Sequence, residues 1–197
     1  MAKEKKEEKN AYKPSIEELK KELERENNRY EYKKVFRRTM FVIVFVIALA
    51  VLISTFFITV LKVTGDSMSP SLESGQVIIA KNTRNLKTGD LVAFYYNNKV
   101  LIKRLIGNPG DWINIDEDGN VTVNGVTLEE DYITEKSLEP YDISFPYQVP
   151  ESRYFVLGDH RSVSIDSRSS TVGCVSEEQL IGKAVFRVFP LNVFGAL

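Results

Sequence analysis

Cysteine and histidine are nearly absent from this 197-residue chain, which holds one of each. A single cysteine excludes an intrachain disulfide framework, and one histidine leaves too few soft ligands for an ordinary His/Cys zinc site. Net charge is lacking too. Twenty-six Lys and Arg face 27 Asp and Glu, a formal −1 that argues against a dedicated nucleic-acid binder. A mean hydropathy of −0.18 suits a soluble protein, but it averages over unlike parts.

Residues 1–39 carry 13 Lys/Arg and 9 Asp/Glu, a net +4 that leaves −5 for residues 40–197. Between Met40 and Leu61 run 22 residues without a charge, about 33 Å as a helix and enough to cross a bilayer. A cleavable secretory signal fits poorly, because the run is long, follows a 39-residue polar lead and has no clear small-residue cleavage site after it. Lys33, Lys34, Arg37 and Arg38 crowd its amino-terminal side, whereas Lys62 alone follows it closely. The positive-inside tendency therefore predicts a single-pass protein of the cell membrane, with residues 1–39 cytoplasmic, 40–61 spanning and 62–197 extracellular. In the tail, Ser15 and Glu18 form a capping-box pattern after Pro14, and Ile16, Leu19 and Leu23 share a helical stripe. A short amphipathic helix there would serve docking, or simply be part of a solvated lead.

Residues 62–197 are long enough for a core of their own. Strand patterns cover Gln76–Ala80, Leu91–Tyr96, Val100–Ile106, Trp112–Ile115, Val121–Val123, Tyr154–Leu157 and Ile181–Phe189. Asn124-Gly125 is a hairpin signal, Ser176–Leu180 suggests a helical turn, and Pro140, Pro146 and Pro150 mark irregular connections. The expected fold class is mainly β: one N-terminal transmembrane helix followed by a β-dominated domain.

Three segments of that domain could carry chemistry. In Val100–Ile106, strand alternation puts Lys103 on the face of Leu101 and Leu105. Desolvation there would lower its pKa from about 10.4 toward the range of a general base, although a snorkelling lysine at a strand end fits the same pattern. The stretch Gly65–Leu72 (GDSMSPSL) combines a glycine and a proline around Ser67, a turn able to present a hydroxyl and a backbone N–H together. The third, Gly158–Arg168 (GDHRSVSIDSR), is dense in charge and hydroxyls and contains the one histidine. A Ser-His-Asp triad would have to use His160 with Asp159 or Asp166.

Taken in order, GDSMSPSL, KTGDLVAF (87–94), KRLIGNPGD (103–111), GDHRSVSIDSR and the closing GKAVFRVFPL (182–191) resemble the sequence boxes of type I signal peptidases, in particular the smaller Gram-positive-type members. The resemblance implies a membrane-bound Ser-Lys dyad endopeptidase that cleaves signal peptides from secretory preproteins without metal or cofactor, its partners being those preproteins and the lipid bilayer. Residue by residue, it implies Ser67 as nucleophile and Lys103 as general base. It also implies Ser164 as the group that positions the lysine, with Asp166, Arg168 and Arg104 in support. A carboxylate paired directly with Lys103 would raise its pKa, so a supporting role suits Asp166 better. Val63, Met68, Leu72 and Ile102 match positions lining shallow pockets for small residues, the Ala-X-Ala preference.

The chain departs from the family pattern at Gly65, where some members carry a serine that completes the oxyanion hole. It also departs at His160, in place of a more frequent asparagine, and at Ser71, in place of threonine. Two other readings are a self-cleaving Ser-Lys repressor-type protease, which the apolar run opposes, and a tethered β-domain that binds without catalysis. Asp116–Val149 is less informative; Asp116, Glu117 and Asp118 lack the rest of a calcium-loop pattern. Cys174 has no companion histidine and reads as a packed residue.

Overall fold

The computed structural model describes residues 14–138 and 141–197. The first thirteen residues of the charged tail, and Pro140, lie outside the described residues. The chain divides into two compact units, Met1–Ile53 and Ser54–Leu197.

One helix, α1, runs from Ile16 to Phe57 and is 42 residues long. The sequence pattern suggested a short tail helix and a separate span. The two merge because no proline or glycine occurs between Pro14 and Gly65 to interrupt the backbone. Its start is the expected capping box: Glu18 N–H donates to Ser15 Oγ at 3.2 Å, and Ser15 N–H donates to Glu18 Oε2 at 2.9 Å. Ile16, Leu19 and Leu23 are exposed. From Met40 to Phe57 the helix is apolar on every side, and its about 27 Å of length still matches a hydrocarbon core. The expected span reached Leu61, but Ile58–Leu61 belong to a strand.

The strands are β1 (Ile58–Lys62), β2 (Val77–Lys81), β3 (Leu91–Tyr96), β4 (Lys99–Gly107), β5 (Trp112–Ile115), β6 (Val121–Val123), β7 (Val126–Thr127), β8 (Tyr147–Gln148), β9 (Arg153–Leu157), β10 (Val175–Ser176), β11 (Leu180–Phe189) and β12 (Gly195–Ala196). The seven strands expected from alternation are all present, with ends within one residue of expectation. An eight-stranded antiparallel sheet has the order β1-β2-β11-β3-β4-β9-β10, with β12 on β11; a four-stranded sheet has the order β7-β6-β5-β8. Asn97-Asn98 (φ 44° and 59°) and Asn124-Gly125 (φ 53° and 81°) close two-residue hairpins, as turns needing two positive φ values require. Ser176–Leu180, expected as a helical turn, is the tight connection from β10 to β11.

Two apolar clusters support β4 and β9. One gathers Ile106, Ile113, Val121, Val149, Phe155 and Leu157; the other gathers Val92, Phe94, Leu105, Tyr154 and Val156. A third, formed by Val63, Met68, Leu72, Ile78, Leu91 and Ala184, ties the loop after β1 to the sheet. Phe155 is fully buried, with Phe145 and Tyr147 at ring-centroid distances of 6.3 and 6.0 Å. Phe155→Ala is expected to cost about 3–5 kcal/mol of stability in denaturant unfolding, whereas Val126→Ala at an exposed hairpin should stay within about 0.5 kcal/mol of wild type.

Candidate active site

Ser67 sits in the loop joining β1 to β2. Val63 N–H donates to the Gln76 carbonyl and Gly75 N–H to the Val63 carbonyl, at 2.8 and 2.9 Å, which closes the base of that loop. Met68 and Leu72 anchor it from inside, buried in the third cluster. Gly65 at φ +84° makes the bend that leads into Ser67, a conformation in which a side chain would be strained. Within the described residues, Ser67 N–H has no hydrogen-bond partner.

Lys103 lies on β4, paired with Val92 of β3 and only 3 % exposed. The snorkelling arrangement is therefore not what the fold adopts. Its Nζ donates to Ser164 Oγ at 2.9 Å. Burial, partly opposed by the charges of Asp166 and Asp159 and helped by Arg168, pulls its pKa down to about 8. An amine with that ionisation can accept a proton near neutral pH. No hydrogen bond joins Ser67 Oγ to Lys103 in this arrangement.

The link between them is Gly158, at the end of β9. A Cβ there would run into Ser164 Oγ and Cβ and into the Ser67 carbonyl oxygen. Next to it, His160 N–H donates to that same Ser67 carbonyl at 3.1 Å. One stretch of backbone therefore touches both the serine loop and the partner of the lysine.

Around this centre two buried carboxylates, Asp166 and Asp159, are engaged by arginines. Asp166 accepts from Arg168 Nε at 2.8 Å and Nη2 at 3.0 Å, and from Gly158 N–H at 2.9 Å. Asp159 accepts from Arg104 Nε at 2.8 Å and Nη2 at 2.6 Å; Arg104 also donates to the Gly89 carbonyl at 2.8 Å and to Ser71 Oγ at 3.0 Å. Asp166 thus sits near Lys103 without pairing with it, as its ionisation requires. Asp159 was considered in the sequence only as a triad partner. Its signal was a carboxylate directly after Gly158 in a charge-dense loop.

His160 does not form a triad. Its Nδ1 lies 3.3 Å from the Asp66 carbonyl oxygen and its Nε2 lies 3.8 Å from Glu135, and both aspartates open to it are held by arginines.

A cleft of about 500 Å³ opens beside Ser67, lined by Lys62–Gly65, Ser67 and Met68 on one side and Lys99–Ile102 on the other. Val63, Met68 and Ile102 are on its wall. Leu72 is not; it is fully buried behind the loop, because it packs into the third cluster. Among the described residues no group of three or more His, Cys, Asp or Glu side chains is arranged to hold a metal ion. Cys174 is buried against Tyr147, and that burial pushes its thiol pKa up, which makes it unreactive.

Gly158→Ala is expected to destabilise the domain by about 1–3 kcal/mol, since the new methyl group displaces either Ser164 or the Ser67 loop. Thermal unfolding of the two forms measures this, and an unchanged midpoint would contradict the packing described.

Residues 36–189 match the family described as signal peptidase, peptidase S26. Signal peptidase I T of Bacillus subtilis is 34 % identical over 156 residues, spanning 73 % of this chain and 80 % of that protein. Signal peptidase IB of Staphylococcus aureus is 34 % identical over 163 residues, spanning 73 % and 84 %. A crystal structure of a signal peptidase I from Enterococcus faecalis, 33 % identical, superposes with a TM-score of 0.42 over 51 % of this chain and 97 % of that one. With residues 36–189 matched, most of its length, the chain belongs to the signal peptidase family, peptidase S26.

Proposed function

We propose that this chain removes signal peptides as a Ser-Lys dyad endopeptidase, with Ser67 the nucleophile and Lys103 the general base. The observation that carries this reading is Lys103, buried, bonded to a neutral hydroxyl and ionising near pH 8. In acylation the neutral amine takes the Ser67 proton as Oγ attacks the scissile carbonyl, and the ammonium then protonates the departing amine. The same amine activates water to release the acyl group. Ser67 N–H, unpaired within the described residues, stabilises the oxyanion; removing such a donor costs other hydrolases roughly 2.7–4 kcal/mol. Ser164 holds the amine in place, and the Ser67–Lys103 hydrogen bond closes when substrate fills the cleft.

An extended substrate fits between residues 62–65 and 99–102. Val63, Met68 and Ile102 leave room for small side chains, and Leu72 supports Met68 from behind. Such a wall selects by exclusion, favouring Ala-X-Ala-like sites. Helix α1 serves as the membrane anchor. The exposed apolar residues Ile58, Val60, Phe189 and Phe194 support a catalytic domain lying close to lipid. The basic residues ahead of Met40 support a cytoplasmic N-terminus and a domain on the export side.

In a preprotein cleavage assay, Ser67→Ala and Lys103→Ala should each lose at least about 10³-fold in kcat. Since only the neutral amine acts, kcat/KM should rise about tenfold per pH unit below pH 8 and level off above it. Activity surviving both substitutions, a flat profile through pH 8, or loss of cleavage in His160→Ala with Lys103→Ala active would sink the dyad. For topology, protease added to intact cells should digest residues 62–197 and spare an epitope at the N-terminus; the reverse pattern would refute the orientation.

A further inference from the structure

The segment between β7 and β8 carries few strand or helix signals, yet it grips the catalytic frame at several points. Glu130 is an acid with only 6 % of its side chain exposed, paired with Arg161 at 2 %. Arg161 Nη1 donates to Glu130 Oε2 at 3.1 Å and Nη2 donates to Oε1, a bidentate pair. The remaining Nε–H of Arg161 donates to the Gly158 carbonyl at 3.1 Å. Tyr132 lays its ring over the Arg104 guanidinium, 3.8 Å from Cζ to centroid, and its hydroxyl donates to Glu130 at 2.7 Å. Glu135 accepts from Ser162 Oγ and lies 3.8 Å from His160 Nε2. The strap therefore holds Arg161, which holds Gly158, and covers Arg104, which holds Asp159.

Gly158 and His160 are the backbone that meets Ser67 and Ser164. We propose that Glu130 and Tyr132 are positioning residues for cleavage: through Arg161 and Arg104 they fix the Gly158–His160 backbone on which Ser67 and the Ser164–Lys103 contact are aligned. This rests on the dyad reading above. Burying a carboxylate and a guanidinium together carries a desolvation cost that a hydrophobic pair of similar size would avoid. The bidentate fork has a geometric effect that such a pair lacks, because it fixes the plane of Arg161 and so the direction of its Nε–H. A displacement of about 1 Å at a dyad lowers turnover about 10²-fold while leaving the substrate cleft intact.

The test uses the full chain in detergent with a fluorogenic peptide bearing an Ala-X-Ala site, at a temperature where circular dichroism shows each variant folded. Glu130→Ala is expected to lower kcat about 10- to 100-fold with KM within about threefold of wild type. Arg161→Lys keeps a charge for Glu130 but loses the fixed fork and the bond to Gly158, so its kcat should fall about tenfold. If Glu130→Ala does not fold, Arg161→Lys decides. A folded variant with kcat within twofold of wild type, or a loss confined to KM, overturns the proposal. Ser67→Ala is run alongside: activity persisting there refutes the dyad itself, whatever the Glu130 and Arg161 variants do.

Discussion

A lysine amine held out of water must either give up its proton or find a carboxylate, and the domain is organised so that Lys103 does not find one. Three buried carboxylates near it are each engaged by an arginine: Asp166 by Arg168, Asp159 by Arg104 and Glu130 by Arg161. Among the described residues, the amine's hydrogen-bond partner is the Ser164 hydroxyl. Burial then outweighs the nearby charge of Asp166 and Asp159 and pulls its pKa down. The arginines also carry the geometry, because each has donors left for main-chain carbonyls at Gly89, Gly158 or Arg161. Neutralising stray charge and placing the loops are thus done by the same side chains.

Much of this was legible in the sequence where a local rule and the tertiary fold agree. Strand alternation puts Lys103 on the face of Leu101 and Leu105 but leaves burial and snorkelling both open; the fold decides it, leaving Lys103 3 % exposed. Asn124-Gly125 forms the hairpin that its positive φ values favour. The effect of a paired carboxylate on Lys103 pointed to a supporting role for Asp166, and in the structure Asp166 accepts from Arg168.

Other features depended on contacts that no window of sequence contains. Ile58–Leu61 are as apolar as the helix before them, and hydropathy cannot separate the two; pairing with β2 makes them a strand. The two-residue strands β7, β8, β10 and β12 exist because longer neighbours offer a free edge. Leu72 matches a pocket position by alignment of motifs, but packing into the third cluster takes it behind the wall. The Glu130–Glu135 strap reaches residues about thirty positions away, and nothing nearby in sequence records that reach.

The passage from α1 to β1 has no intervening residue, since Phe57 ends the helix and Ile58 begins the strand. Nine residues separate Phe57 from Ser67, so even a fully extended chain could carry Ser67 no farther than about 35 Å from the helix end. Under the anchoring proposed for α1, enzyme and signal peptide would share a thin layer, and their meeting would be a search in two dimensions. Under that confinement the local concentration of substrate would be set by its density per unit of membrane rather than per volume, so that even weakly binding pockets would be filled.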